Sequence, residues 1–157
     1  MTAKGGSSKG SKGALTAASV RSLADEWFAR LDEHAREVEF LPLLAEEGLS
    51  QLWPDYTVKS LGDFEGWYQR ALRLFFDEVH TLKKFDVTVA DGGDKAGVKL
   101  VVNWQARNWT PGDRNSKQLD MDAYQTWEVV VSPKSGKPVI KTITVDDVKP
   151  KPGSATL

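Results

Sequence analysis

The sequence predicts an α+β domain. Three observations predict it: helical periodicity confined to the first half, period-two alternation confined to the second, and hairpin-length turns between the alternating segments. Helices followed by strands in succession give an antiparallel sheet with helices packed on one face, whereas a parallel sheet needs helices between its strands. Alternating runs of ten or more residues exceed the usual strand length, so the sheet is expected to be strongly twisted and curved.

The elements follow in order. Met1 to Gly13 is a Gly/Ser/Lys run with no large apolar residue after Met1, and residues 1–15 are expected to form a flexible tail. It lacks the apolar stretch of a secretory signal. Val20, Leu23, Trp27 and Leu31 then recur at three- and four-residue spacing, with Phe28 widening the stripe and Thr16 or Ser19 placed to cap the start. The charges of this helix, like Glu46 and Glu47, are expected on solvated faces. A second helix is predicted after Pro42, through Leu43 and Leu44 and on past Gly48 to Leu52, broken by Trp53-Pro54-Asp55-Tyr56. Thr57 to Leu61 reads as a short extended piece. Asp63 is the expected cap of a third helix burying Phe64, Trp67, Ala71, Leu74, Phe75 and Val79.

From His80 the period becomes two. Phe85, Val87 and Val89 alternate with polar residues up to the turn Asp91-Gly92-Gly93-Asp94. Further strands are predicted over 95–109, 119–131 and 139–148, separated by the loop 110–118 and the turn 132–136. The domain is thus expected over 16–149, and 150–157 is expected to be a flexible end.

Composition excludes more than it selects. The chain has 157 residues, 40% hydrophobic and 27% charged, which suits one globular domain. With no cysteine there is no disulfide, thiolate metal site or cysteine nucleophile, and two histidines argue against a multi-histidine metal centre. No metal and no cofactor are therefore expected. The net charge of −1 offers no broad basic face for nucleic acid, and no apolar run is long enough to span a membrane, so neither partner is expected and a cytoplasmic location is. All 22 acids lie from Asp25 onward, so a basic start is joined to an acidic domain. The unusual number is aromatic: six Trp, six Phe and three Tyr.

Local motifs carry a family resemblance. His80-x-Leu82 opens the first long strand, Val87-Thr88-Val89-Ala90-Asp91-Gly92 is followed by Lys95-Ala96, and the last hairpin has Gly136-Lys137 with an acid at Asp147. In this order the chain resembles the nuclear-transport-factor-2-like superfamily over residues 20–148. It is nearest in pattern to the SnoaL-like polyketide-cyclase branch, with an ending similar to limonene epoxide hydrolase. The resemblance implies a cone-shaped roll whose concave side encloses a pocket. It does not fix the function, because this fold carries dehydratases, isomerases, cyclases, hydrolases and binding modules.

Candidate site residues follow. His80, at the mouth end of a strand, is placed to act as a general base or to hydrogen-bond a ligand oxygen. The resemblance puts Asp55 and Tyr56 on a pocket-lining segment, where Asp55 would assist in proton abstraction; Pro54-Asp55 is equally ordinary turn chemistry. Asn103, Gln105 and Arg107 share one strand parity and Val102, Trp104 and Ala106 the other; hydrophobic content favours the second as the inner one. Gln125 is the expected inward polar group of the next strand. Trp27, Trp53, Tyr56, Tyr68, Trp104 and Trp127 are expected as aromatic pocket wall, with Asn103, Gln125 and Asp147 as polar contacts.

Two functions compete. One is a binding module for a small, mostly apolar ligand; the other is a cofactor-free acid/base lyase, isomerase or cyclase using His80 with Asp55 or Tyr56. The binding module is the narrowly favoured reading, because His80 has no unambiguous partner in the sequence. The resemblance further implies a homodimer through the outer sheet face, where Gln105, Trp109, Tyr124 and Thr126 would lie.

Overall fold

The computed structural model describes residues 14–157, so the tail expected over 1–13 lies outside the described residues. Helix α1 runs Ala17–Glu33 and starts where both candidate caps act together. Thr16 Oγ1 accepts from the Ser19 N–H and Ser19 Oγ from the Thr16 N–H, each at 3.0 Å, which satisfies two of the donors a helix start leaves free. The expected tail is shorter at its inner end. Leu15 is buried and its N–H bonds the Gly93 carbonyl at 2.7 Å, so the fold takes hold before residue 16.

The predicted second helix is replaced by a 3-10 helix, Glu37–Leu43, that precedes and includes Pro42. Beyond it Leu44 bridges to Ile140, the Ala45 N–H bonds the Ile140 carbonyl, and Gly48 takes a left-handed φ of 73°. Leu43 is buried at the end of the 3-10 helix, and Leu44 and Leu49 are buried by the segment that follows, which ends in strand β1, Ser50–Trp53. Pro54-Asp55 is the turn into β2, Tyr56–Val58, with Trp53 opposite Tyr56.

Helix α2 runs Leu61–Leu74 and is capped by Ser60, whose hydroxyl accepts the Asp63 N–H. Asp63 instead turns its carboxylate back to the Lys59 N–H. The helix stops five residues before the sequence suggests. Phe75–Val89 is strand β3, because Phe75 and Phe76 pair with Asn108 and Arg107 of β4, Lys95–Asn108. Strands β5, Lys117–Val131, and β6, Pro138–Pro150, complete a curved, open six-stranded sheet in the order β2-β1-β6-β5-β4-β3. All neighbours are antiparallel except β1 and β6. The end after β6 is tied down as well: Lys151 and Ala155 donate N–H groups to the carbonyls of Asp120 and Gln118.

Register decides which side chains face the helices. Asp77 begins an extra residue in β3, so pairing steps from Phe76–Arg107 to Val79–Gln105. Without it Val79 would oppose Trp104 and His80 would turn outward; with it His80 opposes Trp104 on the inner face. A second slip between Leu82 and Lys84 returns Phe85, Val87 and Val89 to that face. On β4 the inner row is Val98, Leu100, Val102, Trp104 and Ala106, and Asn103, Gln105 and Arg107 lie outside, as the hydrophobic count favours.

The aromatic surplus is mainly core. Trp27 of α1 meets Phe40, Phe64 and Trp127 with ring centroids 5.5, 5.9 and 6.4 Å away, and Phe40 packs on Tyr68 at 4.7 Å. Trp27 and Trp127 retain 0% and 1% of their surface, so they line neither the exterior nor a water-sized void. Replacing Trp27 by Ala is expected to cost about 3–5 kcal/mol, since the side chain is lost into a space its neighbours only partly refill. Urea unfolding with an unchanged m-value would measure it.

Candidate functional site

The site is built where the end of α1 crosses the start of β3. Because β3 is an edge strand, some of its N–H groups have no strand partner. Asp32, in the last turn of α1, takes one of them. The His80 N–H lies 3.0 and 3.1 Å from the two carboxylate oxygens, and His80 Nδ1 lies 2.6 Å from Oδ1. Asp32 gains little from its own helix, whose C-terminal end is the negative end of the dipole. Donors from His80 therefore hold the carboxylate, in both backbone and ring.

Phe28, one turn before Asp32 on the same helix face, stacks on the His80 ring with centroids 5.2 Å apart. Behind it stands Trp127, whose indole N–H donates to buried Gln125. The 2.6 Å contact suits Nδ1–H donating to the carboxylate, the tautomer that leaves a lone pair on Nε2. Nε2 has no hydrogen-bond partner among the described residues. His80 also marks a boundary in the sheet. Leu82, Val102 and Ala123 on one side join the core under the helices, whereas Trp104 and Met121, in the row of His80, belong to a smaller apolar cluster with Phe75 and Ala155.

A second histidine–carboxylate pair lies beside the first. His34 Nε2 and Glu78 Oε2 are 2.6 Å apart, and the indole N–H of Trp104 donates to Glu78 Oε1 at 3.0 Å. Both histidines of the chain are thus tied to carboxylates across the same two segments, 32–34 and 78–80. Among the described residues no three His, Asp or Glu side chains gather closely enough to hold a metal ion.

The other candidates are distributed differently. The sequence suggested Asp55 or Tyr56 as the partner of His80; the structure gives that place to Asp32. Asp55 is an exposed turn residue paired with the Arg70 guanidinium, whose hydrogen bond holds its carboxyl below the usual carboxylate range. Tyr56 packs its hydroxyl against Gly66 of α2, and Trp53 stacks on Trp67 at 4.2 Å, so both serve the contact between the β1–β2 hairpin and α2. Tyr68 donates its hydroxyl to the Ala35 carbonyl inside the core, where burial pushes its pKa up to about 12. Asn103 sits on the outer face and donates to Asp120 and Asp122, which, with Lys151, holds the Asp122 carboxyl below its ordinary value. Asp147 is exposed beside Lys149. Trp104 and Gln125 remain near His80, Gln125 through the stack of Phe28 on Trp127.

Asp32 is among the helix charges expected to be solvated, and that expectation is corrected: its carboxylate is bound to His80. Asp32, His34 and Glu78 carried one sequence signal, an acid two residues before each histidine, as Asp32-x-His34 and Glu78-x-His80. The pairs are crossed, which the spacing alone does not reveal. Elsewhere, a shallow groove of about 320 Å³ runs over Thr88, Ala90, Gly97 and Glu128, at the far end of β3 from His80. On the outer sheet face Thr126 donates to Asp146, Lys149 lies over the Tyr124 ring, and Phe76 and Val79 of β3 are exposed. No helix among the described residues is long and apolar enough to cross a membrane.

This architecture is the nuclear-transport-factor-2-like fold. No family model matches the sequence, and no curated protein matches it. Solved structures match over most of their length. A hexachlorocyclohexane dehydrochlorinase, LinA type 2, superposes with a TM-score of 0.69 at 12% identity, over 89% of this chain and 91% of that one. A nuclear-transport-factor-2-like protein from Salmonella enterica gives 0.69 at 11% identity, over 89% and 92%. A provisional scytalone dehydratase from Novosphingobium aromaticivorans gives 0.66 at 14% identity, over 88% and 87%. Enzymes thus stand among the structures that share the fold, and either ligand binding or catalysis fits it.

The Asp55–Arg70 pair gives a test of its separateness from His80. Its contribution is present at neutral pH and fades as acid protonates Asp55 through its lowered pKa. Because the pair is exposed, Asp55→Asn is expected to cost less than about 1 kcal/mol at pH 7. That cost should shrink in acid and leave the His80 ring resonances unmoved, as denaturant curves and NMR at pH 7 and pH 3 would show.

Proposed function

We propose that the chain is an acid/base lyase that removes a proton from carbon, with His80 Nε2 as the base and Asp32 as the group that holds the imidazole. The observation that carries the reading is the 2.6 Å contact of Asp32 Oδ1 with His80 Nδ1, reinforced by the His80 backbone N–H on the same carboxylate. A base must keep its proton-free nitrogen turned to the substrate and must be stabilised once it is charged. Asp32 does both: it fixes Nδ1–H, and its negative charge favours the imidazolium formed when Nε2 accepts a proton.

The substrate of this reading is a small, mostly apolar cyclic compound with a leaving group on the carbon next to an acidic C–H. Nε2 takes the proton, the C–H electron pair becomes the new double bond, and the leaving group departs with its bonding pair as an anion. Deprotonation of the imidazolium by water restores the base. The apolar surroundings, Phe28 stacked on His80 and Trp104 opposite it, suit a ring and disfavour competing water. The names of two proteins with the same fold, a dehydrochlorinase and a provisional dehydratase, both denote eliminations and support the class.

A panel of chlorinated and hydroxylated cyclic compounds, followed by halide release and by mass loss of the product, tests the proposal. Turnover is expected with at least one member, and His80→Gln and Asp32→Asn should each lower kcat by about 10²–10⁴-fold. Binding of several members without turnover would replace this reading by the binding module. Turnover undiminished in His80→Gln would overturn the assignment of the base.

A further inference from the structure

We infer that Glu78, gripped by His34 and Trp104, is the positioning residue of this site: it fastens the end of α1 to β3 and so keeps Asp32 on His80. The inference rests on the reading of His80 as the base, and it assigns a role to the second histidine–carboxylate pair.

Three observations converge on it. The first is the crossed pairing. Asp32 and His34 leave α1 two residues apart, Glu78 and His80 enter β3 two residues apart, and each histidine meets the carboxylate of the opposite segment at 2.6 Å. Neither pair can slide along the other segment without breaking both. The second is backbone conformation. Among the described residues the non-glycine residues with positive φ are His34, at 52°, and Asp77, at 53°. Glycine is the usual residue in such positions, because a side chain costs energy in the left-handed region. At the end of α1 the cap is a histidine whose ring is used, and in β3 the strained residue stands immediately before Glu78, in the bulge that turns His80 inward. Strain of this kind persists where surrounding contacts enforce it, and it gathers at functional positions.

The third is that both Glu78 oxygens are engaged while the side chain is only 10% exposed. Trp104 holds one oxygen from the strand position directly opposite His80, and His34 holds the other from the helix cap. Tyr68 of α2 adds a strut, donating its hydroxyl to the carbonyl of Ala35, the residue after His34. Glu78 therefore joins the end of α1 to the strand that carries Trp104. Its effect on chemistry passes through Asp32: when the clamp loosens, the carboxylate drifts and the imidazole no longer holds its proton on Nδ1.

With two histidines in the chain, imidazole ¹⁵N–¹H NMR reads this directly, and His34→Gln assigns the two rings. In the wild-type protein above neutral pH, His80 is expected as the Nδ1–H tautomer. In Glu78→Gln, which keeps the side-chain volume and an acceptor for Trp104, that tautomer should fall from the dominant to a minor form, with far-UV circular dichroism and cooperative melting retained. His34→Gln should move it in the same direction. An unchanged His80 pattern in both variants would overturn the inference. Asp32→Asn serves as the reference, because it must disturb His80 whatever Glu78 does. A protein that turns over no compound yet loses the His80 tautomer in Glu78→Gln would keep the clamp and discard the elimination.

Discussion

One carboxylate organises the crossing of α1 and β3. Asp32 accepts from the backbone N–H and the ring N–H of a single residue, His80, and those contacts do three jobs together. They satisfy a donor that an edge strand leaves unpaired, they compensate an acid placed at the unfavourable end of a helix, and they orient an imidazole. Asp32 lies on the face of α1 that also turns Phe28 toward β3, and the left-handed His34 ends the helix just beyond it. The ring can receive it only if β3 carries the extra residue begun at Asp77, because a regular strand would turn His80 to the outer face.

The rest of the fold supplies a rigid frame for that contact. Trp27, Phe40, Phe64, Tyr68 and Trp127 make a continuous aromatic core between α1, the 3-10 helix, α2 and β5, leaving α1 little freedom to shift over the sheet. Phe28 lies between this core and the site: one face of its surroundings is Trp127, the other His80. The packing of the core and the setting of the His80 ring are therefore mechanically joined through Phe28.

How much of this was legible varies with the length scale of the interaction. The class was, since the change of hydrophobic period near His80 is a local property, and the motifs of the hairpins led to the fold. Helix α1 was legible to its capping pair, Thr16 and Ser19. The segment after Pro42 to Leu52 reads as a helix, but beyond Leu43 it is extended, and Leu44 is buried by bridging to Ile140 of β6, nearly a hundred residues later, and not by a helical stripe. Phe75 to Val79 was assigned to α2 for a related reason: its apolar residues fit either period, and pairing with β4 decides. The slip between Leu82 and Lys84 puts His80 and Leu82 on the same face as Phe85, Val87 and Val89, although the numbering gives them opposite parity. Alternation alone cannot show that.

The candidate site is half legible. His80 stands out by its position, but the sequence points to Asp55 or Tyr56 as its partner, whereas Asp32 lies among helix charges that are usually solvated. The acid-x-His spacing at both ends of the crossing was present in the chain, yet it carries information only once two segments 44 residues apart are known to cross. The aromatic wall departs in the other direction: Trp27 and Trp127, expected to line a pocket, fill the core instead, and Phe28 and Trp104 are the aromatic neighbours of His80.

The central claim is that Asp32 holds the Nδ1 proton of His80, and proton NMR of the wild-type protein tests it most directly. A short, charge-assisted hydrogen bond should give a far-downfield imidazole proton, distinct from any of His34 on Glu78 and slow to exchange, that disappears in His80→Gln and also in Asp32→Asn while the amide spectrum keeps its dispersion. A His80 Nδ1 proton that exchanges freely in the wild type, or that survives Asp32→Asn unchanged, would contradict the account.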